Sequence, residues 1–315
     1  MSSGVWKGYL SVVCAALLWA SCGTAGKALF NDGMDPLVLV QTRATFAPFI
    51  LIVVLLVWKP SLLKIGVHDI PRYMLLGGVF TALMQLAYFM AISRIQVASA
   101  VLIQYLAPVL VAGYSMTFWK ERVTPGKLAS LLLSIAGCFL VVGGYNLELV
   151  SMNRAGILWA FLSAVAFALT TLLSEKMMQR HHTLTSLAYG LGFAACTLNI
   201  VHTPLSIFTG TYTSGQWAAL AYIVVFGTLA PFGLYLAGVN YIRSTRTIIT
   251  ATLEPISAAF MAFFLLGEAL SPLQITGGIA VIAAVVILQL QIEHDELSPH
   301  IIRAGRVRQD ADGPA

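Results

Sequence analysis

Two charged residues stand where charge is expensive: Arg43, inside the apolar stretch from Pro36 to Trp58, and Glu254, inside the stretch from Thr247 to Leu266. A charge at the centre of a lipid-embedded helix costs at least about 2.5–3.5 kcal/mol, so one that is kept there has something to bind. A guanidinium offers a fixed fork of donors that suits a carboxylate. A carboxylate can hold an ammonium or exchange a proton. Two readings stand side by side. In one, Arg43 takes a substrate carboxylate and Glu254 takes an amine or a proton. In the other, the two charges pair, or Glu254 binds backbone groups loosened at Pro255. Gln104 and Tyr105 supply donors and acceptors that could line the same cavity, whereas Gln85 reads as interhelical glue. Lys27 and Glu175 are expected to snorkel to the membrane interface. Glu121 and Glu268 are expected to anchor helix ends, with a gate contact as the alternative.

Catalytic signatures are missing. The sequence has no phosphate-binding loop, no H-E-x-x-H and no G-x-S-x-G. Cys14, Cys22, Cys138 and Cys196 lie in apolar stretches and read as small core residues. His181, His182 and His202 read as solvated loop or helix-end positions. The expectation is a protein without enzymatic activity, cofactor or metal, and without ATP hydrolysis, so that a proton or substrate gradient would supply any driving force.

The elements that carry these residues follow from hydropathy. Hydrophobic residues make up 58% of the chain and charged residues 10%, with a mean hydropathy of +0.85. That is too apolar for a water-soluble domain. The lipid bilayer is therefore the expected environment, and the net charge of +5 is assigned to topology rather than to nucleic acid. Breaks at Gly, Pro and charge clusters place ten transmembrane helices at about 8–29, 36–58, 72–93, 97–118, 126–144, 155–176, 184–204, 217–239, 246–266 and 272–291. Of the 18 Lys and Arg residues, Arg94 and Arg154 fall in loops on one side and Lys27 and Arg43 within helices, and the rest collect on the other side. This bias places both termini in the cytoplasm of a multi-pass cell (inner) membrane protein. The tryptophans, with Tyr88 and Tyr235, are assigned to the interfacial belt.

The chain also repeats itself. Ala100–Pro125 aligns with Thr247–Pro272, so that Pro108 meets Pro255, Glu121 meets Glu268, Pro125 meets Pro272 and, upstream, Tyr88 meets Tyr235, all at an offset of 147. Each half holds five helices, an odd number, so the second crosses the bilayer in the opposite sense. The expected organisation is an all-α integral membrane protein of two inverted five-helix repeats, 1–150 and 151–292, followed by a disordered cytoplasmic tail, 293–315. Inverted repeats are a construction of secondary transporters, in which two halves exchange shapes around a midplane site. Pro108 and Pro255 lie near mid-membrane depth and are candidate hinges, since each removes a helical hydrogen bond.

The paired segments APVLVAGYSMTFWKERVTP and LEPISAAFMAFFLLGEALSP, with ten helices and short loops, resemble the EamA-type branch of the drug/metabolite transporter superfamily. The second copy, LEP then LLGE, fits the family pattern closely. The first departs from it with FWKE. The resemblance covers the chain to about Gln291 and implies a secondary carrier of a small metabolite, with export of amino acids and their derivatives common in such families. A non-transporting membrane scaffold or assembly protein is the alternative.

Overall fold

Polar side chains end the apolar runs and start the helices. Asp35 Oδ1 accepts the Leu37 amide at 2.8 Å just before Pro36 opens a helix. Asn153 does the same ahead of Arg154, and Thr213 forms a capping box with Gln216. Ser271 and Gln274 exchange the same two hydrogen bonds around Pro272. Such caps satisfy the first N–H groups of a helix where the hydrocarbon cannot.

The computed structural model describes residues 3–95, 97–119, 124–142, 144–145, 153–201, 206–266, 271–290 and 298–312. These form α1 (Ser3–Asn31), α2 (Pro36–Trp58), α3 (70–92), α4 in two pieces (Val97–Gln104 and Ala107–Phe118), and α5 (Pro125–Val141). The second half holds α6 (Arg154–Met178), α7 (Thr183–Val201), α8 (214–242), α9 in two pieces (244–250 and Leu253–Leu266), and α10 (Pro272–Leu290). Eight helices are long and apolar enough to cross a membrane, and α5 and the second piece of α9 are the shorter members of the ten. Large apolar side chains face outward along them, among them Val57 at 82% and Ile200 at 86% exposure. A lipid-facing surface has that character.

The packing repeats with the sequence. α1 lies against α8 and α9, and in the same way α6 lies against α3 and α4. α2 packs on α7, and α5 on α10. Exchanging the two halves therefore turns each of these pairs into another of them or into itself, as a two-fold axis in the membrane plane requires. α5 and α10 cross at Gly137 and Gly277, where a Cβ on either glycine would lie 2.7 Å from the other's carbonyl oxygen. Only a bare backbone permits that approach.

Irregularities are also shared between the halves. α3 has a π-helical stretch at Met74–Thr81 and α8 has one at Val225–Leu229. α4 breaks at 105–106 and α9 at 251–252, within one residue of corresponding positions in the repeat. Each break precedes the paired proline. Pro108 thus stands in the first turn of the second piece of α4, where the missing N–H has no intrahelical partner to lose.

Two segments depart from the sequence expectation. The loop expected between helices eight and nine is a single sharp break at Arg243, whose φ of 66° and ψ of 170° are reserved almost entirely for glycine. The tail, expected to be disordered, contains α11 (Pro299–Asp312). Arg303 on α11 donates to the carbonyls of Met178 and His181, at 2.7 and 2.8 Å, so the tail docks on the end of α6. His300 of α11 also lies near Gly4. The face carrying Ser3 and α11 is termed the terminal face, and the opposite one, at Asn31, Pro36 and Ile92, the far face.

Candidate functional site

A cavity lies between the halves. Its lining comes from α1, α2, α3, α4, α6, α8 and α9, and runs from mid-membrane to Phe30 and Ile92 at the far-face ends of α1 and α3. Arg43, Gln104, Tyr105 and Glu254, which the sequence offered as one group from four separate positions, all line it. The helix breaks explain two of these placements. Tyr105 sits in the break of α4, and Glu254 starts the second piece of α9, where the chain leaves the helical path.

Glu254 is held by Tyr105, whose hydroxyl lies 2.9 Å from Oε2 and 3.2 Å from the Ala251 carbonyl oxygen. Arg43 is not ion-paired to Glu254, nor to any acid within 4 Å among the described residues. Its guanidinium carbon stands 5.5 Å from the centroid of the Phe89 ring, and its Nε is buried without a hydrogen-bond partner. The ring face supports the cation without neutralising it. Of the two sequence readings, direct pairing of the charges is therefore not the arrangement found.

Gln104 both lines the cavity and ties helices together: its amide donates to Ser163 Oγ at 2.7 Å, and Ser163 in turn donates to the Met84 carbonyl. Gln85 reverses its assignment as glue. It lines the cavity, is 3% exposed, and neither amide atom has a hydrogen-bond partner.

The walls are strongly aromatic. Trp19, assigned to the interfacial belt, instead packs on Phe232 and Tyr235 at centroid distances of 5.3 and 5.5 Å and lines the cavity. Tyr88 also lines it, while Tyr235 is buried beneath, bonded to Thr171 at 2.9 Å. Depth counted from one helix end missed these residues because the two half-bundles lean over a shared midplane site. The signal that could have found them is their spacing: Gln85, Tyr88 and Phe89 recur at i, i+3 and i+4 on one helical face.

The terminal face carries buried ion pairs. Glu175, expected to snorkel, is 1% exposed and pairs with Arg243 at 3.0 Å, and it accepts from the amide and the hydroxyl of Ser244. The Arg243 guanidinium also stands 5.9 Å from the ring centroid of Trp119. His181, expected to be solvated, pairs with Asp69 at 2.8 Å, beside Arg72. Cys196, expected in the core, is exposed. The side chain of Lys27, together with Glu121, Glu268 and His202, lies outside the described residues. No group of three potential metal ligands occurs among the described residues.

Ten helices in two inverted halves around a charged, aromatic midplane cavity define a membrane carrier of the inverted-repeat class. The sequence model of the EamA-like transporter family matches residues 6–143 and again 154–290, and the chain belongs to that family. It is 28% identical to the uncharacterized inner membrane transporter YicL of Salmonella typhimurium, over 90% of this chain and 95% of that one. It is 30% identical to an uncharacterized transporter of Archaeoglobus fulgidus, over 89% and 95%. The pseudopaline exporter CntI of Pseudomonas aeruginosa is 26% identical over 68% of this chain and 74% of its own. A solved crystal structure, 18% identical, matches with a TM-score of 0.73 over 90% of this chain and 96% of that one, which extends the likeness of fold.

Proposed function

We propose that the protein is a secondary transporter of the inner membrane that moves a small polar metabolite, an amino acid or a derivative, by alternating access, with both termini in the cytoplasm. The observation that carries this reading is the Arg43 guanidinium, which has no acid within 4 Å among the described residues yet shares its cavity with a carboxylate, Glu254. A buried cation with no acid within 4 Å among the described residues suits an anionic group brought by a ligand. Glu254 then takes the ligand's ammonium or carries a proton, and the aromatic walls hold an apolar body between them. Pro108 and Pro255, each just past a helix break, are the hinges about which the halves rock. Export is supported by the relative that is named an exporter.

The test is uptake of labelled amino acids into proteoliposomes, with and without a proton gradient, for the native protein, Arg43→Ala and Glu254→Gln. Saturable flux that both substitutions abolish is the expected outcome. Flux indifferent to both would remove the site from these residues. Flux unchanged by the gradient would remove proton coupling and leave substrate exchange.

A further inference from the structure

We propose that Gln85 is a specificity-determining residue of this cavity, reading the paired donor and acceptor of an α-amino-carboxylate with its amide. The inference rests on the transport reading above and names the group that reading leaves unassigned.

Three observations carry it. Both Gln85 amide atoms are shut off from solvent and have no hydrogen-bond partner among the described residues, although the residue lines the cavity. A buried donor and a buried acceptor left unpaired both cost stability, so packing alone gives no reason to keep an amide there. The repeat makes the same point. At the offset of 147 that pairs Tyr88 with Tyr235, the counterpart of Gln85 is Phe232, an apolar residue that is 8% exposed and also faces the cavity. The architecture therefore accepts an apolar side chain at this point of the third helix of a half, and the amide in the first half answers a different need.

The third observation is the neighbourhood. Gln85 and Phe89 are one helical turn apart, roughly 6 Å along α3, and Phe89 is the ring beneath the Arg43 guanidinium. A carboxylate seated on Arg43 thus faces the side of α3 that carries both Phe89 and Gln85. Nε2 donates to a carboxylate oxygen, and Oε1 accepts from the adjacent ammonium. A ligand offering only one of the two leaves an amide atom unpaired, and a site built to make such bonds discriminates steeply against analogues that lack them.

The experiment is Gln85→Leu, near in volume and without polar atoms, read in two ways. Melting of the ligand-free protein in detergent should be no lower than that of the native protein, because no native hydrogen bond is lost. In proteoliposomes the KM for transported amino acids should rise about tenfold, equivalent to about 1.4 kcal/mol, with maximal flux retained. Preference for the amino acid over its deaminated analogue should shrink towards unity. A clear fall in melting temperature would show that Gln85 is structural glue and overturn the inference even with transport intact. An unchanged KM and preference in a stable variant would also overturn it, while leaving the transport reading standing. Native protein that carries no amino acid would instead overturn the substrate reading and this inference together.

Discussion

Tyr105 is the residue on which the carboxylate side of the cavity depends. Its hydroxyl sits between Glu254 and the Ala251 carbonyl. It therefore fixes the acid against the frayed backbone of the α9 break, where no regular ladder would hold it. Tyr105→Phe keeps the ring and removes that contact. The expected result is a fold as stable as the native to within about 1–2 kcal/mol, with flux reduced roughly tenfold, since one hydrogen bond to a charged group is worth about 1.5–3 kcal/mol. Native flux in this variant would show that the orientation of Glu254 is set elsewhere.

At the scale of the element, the junction of α8 and α9 joins strain to compensation. Arg243 holds a backbone conformation that costs a residue other than glycine of order 1–3 kcal/mol. The ion pair with Glu175 and the contact with Trp119 hold it there, and the same carboxylate caps α9 through Ser244. One acid thus links the middle of the second half to the end of α4. Glu175→Ala is expected to lower stability by about 3–5 kcal/mol, the typical effect of breaking a buried pair from one side. Glu175→Gln, which can still accept from Ser244, is expected to lose less. Thermal unfolding in detergent compares the two directly, and equal losses would mean that charge rather than capping holds the junction.

Across the whole molecule the two halves enclose the cavity asymmetrically. The lining reaches the far-face ends of α1 and α3, whereas the terminal face carries the ion pairs of Glu175 with Arg243 and of His181 with Asp69, and Arg303 of α11 bonded to the end of α6. A second, smaller cavity lies toward the terminal face between α3, α6, α7 and α8, and Phe167 and Phe232 line both cavities. These two rings stand between the two cavities. Phe232→Leu is expected to merge the cavities and raise substrate leak down its own gradient, measured as efflux from loaded proteoliposomes without external substrate. Efflux no faster than native would place the barrier at the terminal-face ion pairs instead.

The sequence by itself determined the membrane class, the ten helices, the inverted duplication and the shortlist of Arg43, Gln104, Tyr105 and Glu254. Each of these rests on a quantity that is local along the chain: apolar run length, an odd helix count per half, a constant repeat offset, and the cost of a charge in lipid. Tertiary structure decided which polar groups are partnered. Glu175, Gln85, Trp19 and His181 are all misassigned, because the partner of each lies on another element or, for Gln85, none occurs among the described residues. Burial depth along one helix gives the distance to the interface but not the neighbour across the bundle. The tail was misread for a related reason: a helix of low hydropathy at Pro299–Asp312 is held by Arg303 against carbonyls at the end of α6, a contact that no pattern within the tail encodes.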